Sequence, residues 1–229
     1  MHQTKPTRAV IFANGTLGDP QAALKNIHPG DLIIAADGGG KHCQALGITP
    51  DLLVGDMDSL DADTIDRFAS AGTEVIRYPA RKDYTDLELA LIHAQERGIQ
   101  EISILAALGQ RWDQTLANLL LPAEKNFASS LHIRLVDGSQ EIQLVESGKL
   151  ITLHGVPGDT VSFIPLGGDA CGITTEGLEY PLLSENLVFG STRGISNVLI
   201  ESMASVRVSE GLLLCVIIHT SQIDEGLKG

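Results

Sequence analysis

Leu52-Leu53-Val54-Gly55-Asp56-Met57-Asp58-Ser59 is a short apolar run that breaks into an acidic turn, and a helical pattern, Leu60–Ala71, follows until Gly72 stops it. A continuous apolar run of that length suits a strand buried on both faces of a parallel sheet. The same order recurs on either side. Ala9–Ala13, Leu32–Ala36, Glu74–Tyr78, Ile102–Ala106 and His132–Val136 are further short apolar runs. The clearest helical stretch between them is Asp86–Arg97, with Leu87, Ala90, Leu91 and Ala94 on one face and Gly98 at its end. Alternating strand and helix signals imply a doubly wound, mostly parallel sheet with right-handed crossovers.

From about Asp137 the pattern changes. Glu141–Val145, Leu150–His154, Thr160–Pro165, Ile195–Ile200, Ala204–Val208 and Leu212–Ile218 read as strands, separated by turns such as Val156-Pro157-Gly158-Asp159. Closely spaced strands without helices indicate an antiparallel sandwich or barrel. The expected organisation is α/β plus all-β: an α/β domain over residues 1–138, then a β-sandwich over residues 139–229.

The 229 residues carry a net charge of −13, which argues against a nucleic-acid surface, because phosphate backbones are held by clustered Lys and Arg. A divalent ion reverses the local sign in its own site, so acidity is compatible with a metal-bound nucleotide and favours a cationic second substrate. Cys43, Cys171 and Cys215 are far apart and odd in number, the pattern of reduced thiols in a cytoplasmic protein. No apolar run is long enough to span a bilayer, and the polar start, Met1–Thr7, has no signal-peptide pattern.

In an open α/β sheet, ligands bind outside the carboxyl ends of the strands. Asp37, Asp56, Asp58, Asp83, Asp86 and Asp113 all follow strand signals, directly or after a short loop, and so fall on that edge. Asp37-Gly38-Gly39-Gly40 suits either close backbone approach to an anion or a tight turn with an Asp cap. Asp58 or Ser59 could cap a helix starting at Leu60, but two carboxylates at i and i+2 exceed what a cap needs and suit one metal ion. Mg²⁺ commonly takes one or two carboxylates plus substrate phosphates. In Lys82-Asp83-Tyr84-Thr85-Asp86-Leu87-Glu88, Thr85 and Glu88 match a capping box, leaving Lys82, Asp83 and Asp86 for a metal-bound phosphate. Arg111, in Gly109-Gln110-Arg111-Trp112-Asp113-Gln114, is shaped for bidentate phosphate binding, or is a plain surface residue. Asp113 is a second candidate or an N-cap. Trp112 either stacks on a base or packs between domains, and packing is the expectation. Ser196-Asn197 by itself is an ordinary turn or strand edge. No Walker A sequence is present.

Taken in order, Asp37-Gly38-Gly39, Gly55–Ser59, Asp83–Glu88, Gly109–Asn118, Gly177–Leu182 and Ser196-Asn197 resemble the thiamine pyrophosphokinase family. The resemblance implies an α/β catalytic domain, a thiamine-binding β-sandwich, and a homodimer whose active sites are shaped by both subunits. It implies transfer of the diphosphate of ATP to the hydroxyethyl oxygen of thiamine, releasing AMP. Asp56, Asp58, Asp83 and Asp86 would hold Mg²⁺ and the phosphates. Asp37, Gly38, Gly39, Lys82, Arg111 and Asp113 would serve the nucleotide, and Ser196 and Asn197 the thiamine. The chain departs from the family pattern at Gln110, where a second Gly is usual, at Gln114 in place of His, and at Val198 in place of Glu. Those departures keep two alternatives open: a pyrophosphokinase acting on another primary alcohol, such as a hydroxymethyl pterin, and a non-catalytic thiamine-binding sensor. An Asp-rich hydrolase is a third, which leaves the β-domain without a role.

Overall fold

Branched and aliphatic residues run together just where the backbone extends. The strands and helices of the first half are β1 (Arg8–Phe12), α1 (Pro20–Lys25), β2 (Leu32–Ala36), α2 (Gly39–Ala45), β3 (Leu52–Gly55), α3 (Ala62–Ser70) and β4 (Glu74–Arg77). They continue through α4 (Asp86–Glu96), β5 (Glu101–Leu105), α5 (Trp112–Leu120), α6 (Lys125–Ala128) and β6 (His132–Asp137). The computed structural model describes residues 6–220. The chain divides into two compact units, Met1–Gly138 and Ser139–Gly229.

The six strands of the first unit are all parallel, in the order β6-β5-β1-β2-β3-β4. The chain steps outward from β1 to β4, then returns to lay β5 on the other side of β1. The crevice between the carboxyl ends of β1 and β5 is therefore the topological switch point, where ligands bind in folds of this kind. Side chains alternate across the sheet. Val10, Phe12, Ile33, Ala35 and Leu53 form one core with Cys43 of α2 and with Ile65 and Phe68 of α3. Ile11, Ile34 and Ile104 have the opposite parity and are fully buried. Helix α4 packs on β1, β2 and β3 and presents the buried Leu87, Ala90, Leu91 and Ala94.

The second unit holds β7 (Gln140–Glu146), β8 (Leu150–His154), β9 (Thr160–Pro165), β10 (Ala170–Glu176), β11 (Leu183–Leu187), β12 (Asn197–Val198), β13 (Met203–Arg207) and β14 (Leu212–Ile218). Antiparallel neighbours run β12-β9-β14-β7 in one layer and β11-β10-β13-β8 in the other. Val145, Phe163 and Cys215 of the first layer share one buried core with Leu153, Ile173 and Val206 of the second. The unit is a β-sandwich.

One expected strand shortens, and two strands appear that no apolar run predicts. Ile195–Ile200 is strand only over Asn197–Val198, because Ser196 takes φ 64° and Ile195 N–H closes a turn onto the Thr192 carbonyl. Strands β10 and β11 carry no apolar run. The first is interrupted by Gly172 and paired to β11 with register shifts, and the second is the largely exposed Leu-Ser-Glu-Asn-Leu. Among the described residues no helix is long and apolar enough to cross a membrane.

Candidate active site

The loops leaving β1 and β5 are stitched together across the switch point. Ala13 N–H donates to the Leu105 carbonyl (2.9 Å), Gly15 N–H to Ala106 (2.8 Å) and Thr16 N–H to Leu108 (2.7 Å). A Cβ on Gly15 would lie 2.4 Å from the Ala106 and Leu108 oxygens, so only glycine permits the contact. Gly39, where α2 begins, comes closer still: a Cβ there would lie 1.9 Å from the Phe12 carbonyl oxygen. The backbone is also strained at this edge. Asp37 (φ 45°), Met57 (66°) and Ala106 (53°) are non-glycine residues in the left-handed region, one beyond each of β2, β3 and β5. Such conformations cost about 1–3 kcal/mol each, persist only where the surroundings over-determine them, and cluster at functional sites.

These turns bring three carboxylates together. One oxygen each from Asp37, Asp56 and Asp58 lies within 4.8 Å of the other two. None of the three serves as a helix cap. Asp61, not Asp58 or Ser59, caps α3 through the Thr64 N–H (2.7 Å), and the N-cap of α2 is Gly38, which makes no side-chain cap. Asp56 Oδ1 accepts the Asp58 N–H (3.1 Å), and Ser59 donates its hydroxyl to Asp58 Oδ1 (3.2 Å), which fixes the turn. Asp37 is buried. Its Oδ2 accepts from Asn14 Nδ2 (3.2 Å), while its Oδ1 has no hydrogen-bond partner. A buried carboxylate oxygen without a donor is costly unless a cation completes it. Three carboxylates with oxygens this close together, one of them holding an unpartnered oxygen, fit Mg²⁺.

Lys82 and Asp86 adjoin the cluster. Lys82 Nζ lies 2.8 Å from Asp86 Oδ1 and 4.0 Å from Asp56 Oδ2. Asp86 Oδ1 has no partner beyond that ion pair. Burial pushes the Asp86 carboxyl above the usual carboxylate range. Lys82 opposes the shift, and the nearby charges of Asp37 and Asp56 add to it. Thr85, just before, caps α4 through the Glu88 N–H (3.2 Å). Asp83 is exposed and does not line the cleft.

The cleft bounded by these residues has a volume of about 660 Å³. Its lining includes Gln110 and Arg111 of the β5–α5 loop and Gln114 of α5. Arg111 and Asp113 form an exposed two-pronged pair, Nη2–Oδ2 2.5 Å and Nε–Oδ1 3.2 Å. The hydrogen bond from Arg111 holds the Asp113 carboxyl below its usual range, and the same contact raises the guanidinium. Asp113 is not an N-cap: α5 starts after Arg111 without a side-chain cap. Trp112 is 75% exposed. Asn14, Gly15 and Thr16 line the same cleft. Sequence reasoning passed over them, although Asn-Gly directly after the apolar run Ala9–Ala13 is the signal that marked the other loops.

In the β-sandwich, Asn197 is buried and its amide binds the backbone of Tyr180 on both sides. Its Oδ1 accepts the Tyr180 N–H (3.0 Å), and its Nδ2 donates to the Tyr180 carbonyl (2.7 Å). Ser196 N–H donates to Ser162 Oγ (3.1 Å).

Residues 24–135 match the family model described as thiamin pyrophosphokinase, catalytic domain, and residues 146–213 match thiamin pyrophosphokinase, vitamin B1 binding domain. A thiamine pyrophosphokinase from Bacillus subtilis (strain 168) is 34% identical over 185 residues, covering 81% of this chain and 86% of its own. The chain belongs to the thiamine pyrophosphokinase family. The fold agrees. A crystal structure of thiamine pyrophosphokinase from Bacillus subtilis superposes with a TM-score of 0.82 at 30% identity, covering 93% of this chain and 99% of that one. The thiamin pyrophosphokinase from Geobacillus thermodenitrificans gives 0.80 at 28% identity, over 93% and 98%. The catalytic-domain match contains Asp37, Asp56, Asp58, Lys82, Asp86 and Arg111, and the vitamin B1 match contains Ser196 and Asn197. Strand β1 and Asn14 lie before residue 24, outside the thiamin pyrophosphokinase catalytic match, although β1 is central to the sheet.

Proposed function

We propose that this chain transfers the diphosphate of ATP to the hydroxyethyl oxygen of thiamine, giving thiamine diphosphate and AMP. The observation that carries the reading is the grouping of Asp37, Asp56 and Asp58 at the carboxyl edge of the sheet, with one oxygen of the buried Asp37 left without a donor, in a chain of this family. In this reading those three carboxylates hold Mg²⁺, which supplies charge neutralisation for the transferring phosphates. Asp86 stands beside them on Lys82, and Asp83 belongs to the same loop. Lys82 and Arg111 meet phosphate oxygens. Arg111 is held by an exposed pair with Asp113, so exchanging one anion for another disturbs little of the fold. Gly38 and Gly39 let α2 approach the strand ends, and Asp37 shares its turn with them. Ser196 and Asn197 serve the thiamine side. Asn197 does so by shaping the backbone, because its amide is already spent on Tyr180.

A homodimer with shared sites extends the reading. Trp112, Leu116 and Leu120 recur at helical spacing on α5 and are 75%, 55% and 50% exposed, an apolar stripe suited to a second copy. A cytoplasmic setting goes with the three free thiols.

Chromatography of Mg-ATP reactions with and without thiamine tests the reaction. Thiamine-dependent AMP with matching thiamine diphosphate is expected. ADP in its place would overturn the diphosphoryl step. AMP formed with a hydroxymethyl pterin and not with thiamine would move the acceptor, and no turnover despite thiamine binding would leave a sensor. Light scattering on a size-exclusion column reads the dimer directly.

A further inference from the structure

In the β5–α5 loop, the carbonyl oxygens of Ala106, Ala107, Leu108 and Gly109 are all tied down. The β1 loop takes two of them, through Gly15 N–H to Ala106 and Thr16 N–H to Leu108. Helix α5 takes the other two. Asn118 Nδ2 donates to the Ala107 carbonyl (2.7 Å), and Thr115 Oγ1 donates to Gly109 (3.2 Å). The Thr115 hydroxyl also accepts the Gly109 N–H (3.1 Å). Thr115 is buried, so its hydroxyl is committed to this loop. The backbone N–H groups of Ala107, Leu108 and Gln110 are left without a protein partner among the described residues. Ala107 is itself largely buried and lines the cleft.

The asymmetry has an electrostatic meaning. A carbonyl turned into the cleft would put a partial negative charge against an incoming phosphate. Carbonyls held back, with N–H groups left over, make the loop a backbone donor for an anion. The strained φ of 53° at Ala106 is kept in place by the same ties. We infer that Thr115 and Asn118, which line the same cleft, are positioning residues for the phosphate end of the nucleotide, acting through the loop backbone. The inference rests on the diphosphotransfer reading and adds two residues that reading does not use.

The test is direct binding, by calorimetry in Mg²⁺, of an ATP analogue with a methylene between the α and β phosphorus atoms. Thr115→Val and Asn118→Ala should each weaken that binding about tenfold, the loss of one or two buried hydrogen bonds. Thiamine binding should stay unchanged, and Thr115→Ser should restore the nucleotide affinity. Equal nucleotide affinity in folded wild-type and Thr115→Val proteins overturns the inference and leaves the diphosphotransfer reading standing. Parallel loss of thiamine and nucleotide binding also overturns it, as a general loosening of the fold. A wild-type protein that binds no Mg-nucleotide overturns the function and this assignment together.

Discussion

Asp37 and Ser196 are alike in backbone and opposite in what surrounds them. Both hold a left-handed conformation beside a strand, with φ 45° and 64°. At Asp37 the strained turn delivers a buried carboxylate with one oxygen unused, 4.8 Å or less from two others. Beside Ser196, the Asn197 amide is consumed by the backbone of Tyr180. One turn stores unmet hydrogen-bonding capacity, which is a feature of a ligand site. The other spends its capacity on the fold. A motif residue can therefore mark either chemistry or architecture, and the state of its lone pairs separates the two.

The largest effect that tests this contrast is on turnover. Asp56→Asn should lower thiamine-dependent AMP release on the order of 10³-fold, with the melting curve little changed, because it removes a metal-facing charge and no cap. Asp83→Asn is the sharper comparison, since Asp83 is exposed and outside the cleft. An equal loss there would show that the bound state recruits it and would break the three-carboxylate assignment.

Next is Gly39→Ala. A Cβ 1.9 Å from the Phe12 oxygen forces α2 away from β1, and a cost of about 3 kcal/mol or more is expected in urea unfolding. A midpoint close to wild type would mean that the glycine serves only the ligand.

Asn197→Ala should cost about 1–3 kcal/mol, because it leaves the Tyr180 N–H and carbonyl without their partners. Weaker thiamine binding with unchanged stability would instead place the amide in the substrate site.

The smallest effect is on pH dependence within the sandwich. His219 lies 3.7 Å from Glu141 and 2.9 Å from the buried Asp159. Glu141 raises the imidazole above its usual value, burial opposes the rise, and Asp159 adds to it. A raised histidine stabilises the fold fully below its unfolded value near 6.5, and that contribution is lost as pH rises through the folded value. His219→Gln should therefore destabilise most in mildly acidic buffer and converge on wild type at alkaline pH. Burial alone would raise the Asp159 carboxyl, but hydrogen bonds from Val156, His219 and Thr220 hold it below its usual value. Its share is thus present above about pH 4 and lost as pH falls through the lowered value. A mutant difference that grows with pH would refute the ion-pair account.

The α/β half was legible because its strands are buried on both faces, so they appear as unbroken apolar runs, and because Gly72 and Gly98 stop helices. Strands β10 and β11 were not. Gly172 and a string of Thr, Ser, Glu and Asn leave no alternation to read, and the pairing is supplied by neighbours distant in sequence. The acidic loops were legible as a set on one edge. The membership of the cluster was not. The family resemblance put Asp83 in the metal set and Asp37 among the nucleotide residues, whereas the turns at Asp37 and Met57 bring oxygens of Asp37, Asp56 and Asp58 within 4.8 Å of one another.

The sequence by itself determined which strands could be central, where helices end, and that carboxylates gather at the carboxyl edge of a parallel sheet, since hydrophobic periodicity and turn chemistry are local. Only the tertiary structure decided which lone pairs stay unused. That depends on Asn14 reaching Asp37, on Asp61 rather than Asp58 capping α3, and on Thr115 and Asn118 drawing back a loop, all contacts between residues whose distance apart no local pattern encodes.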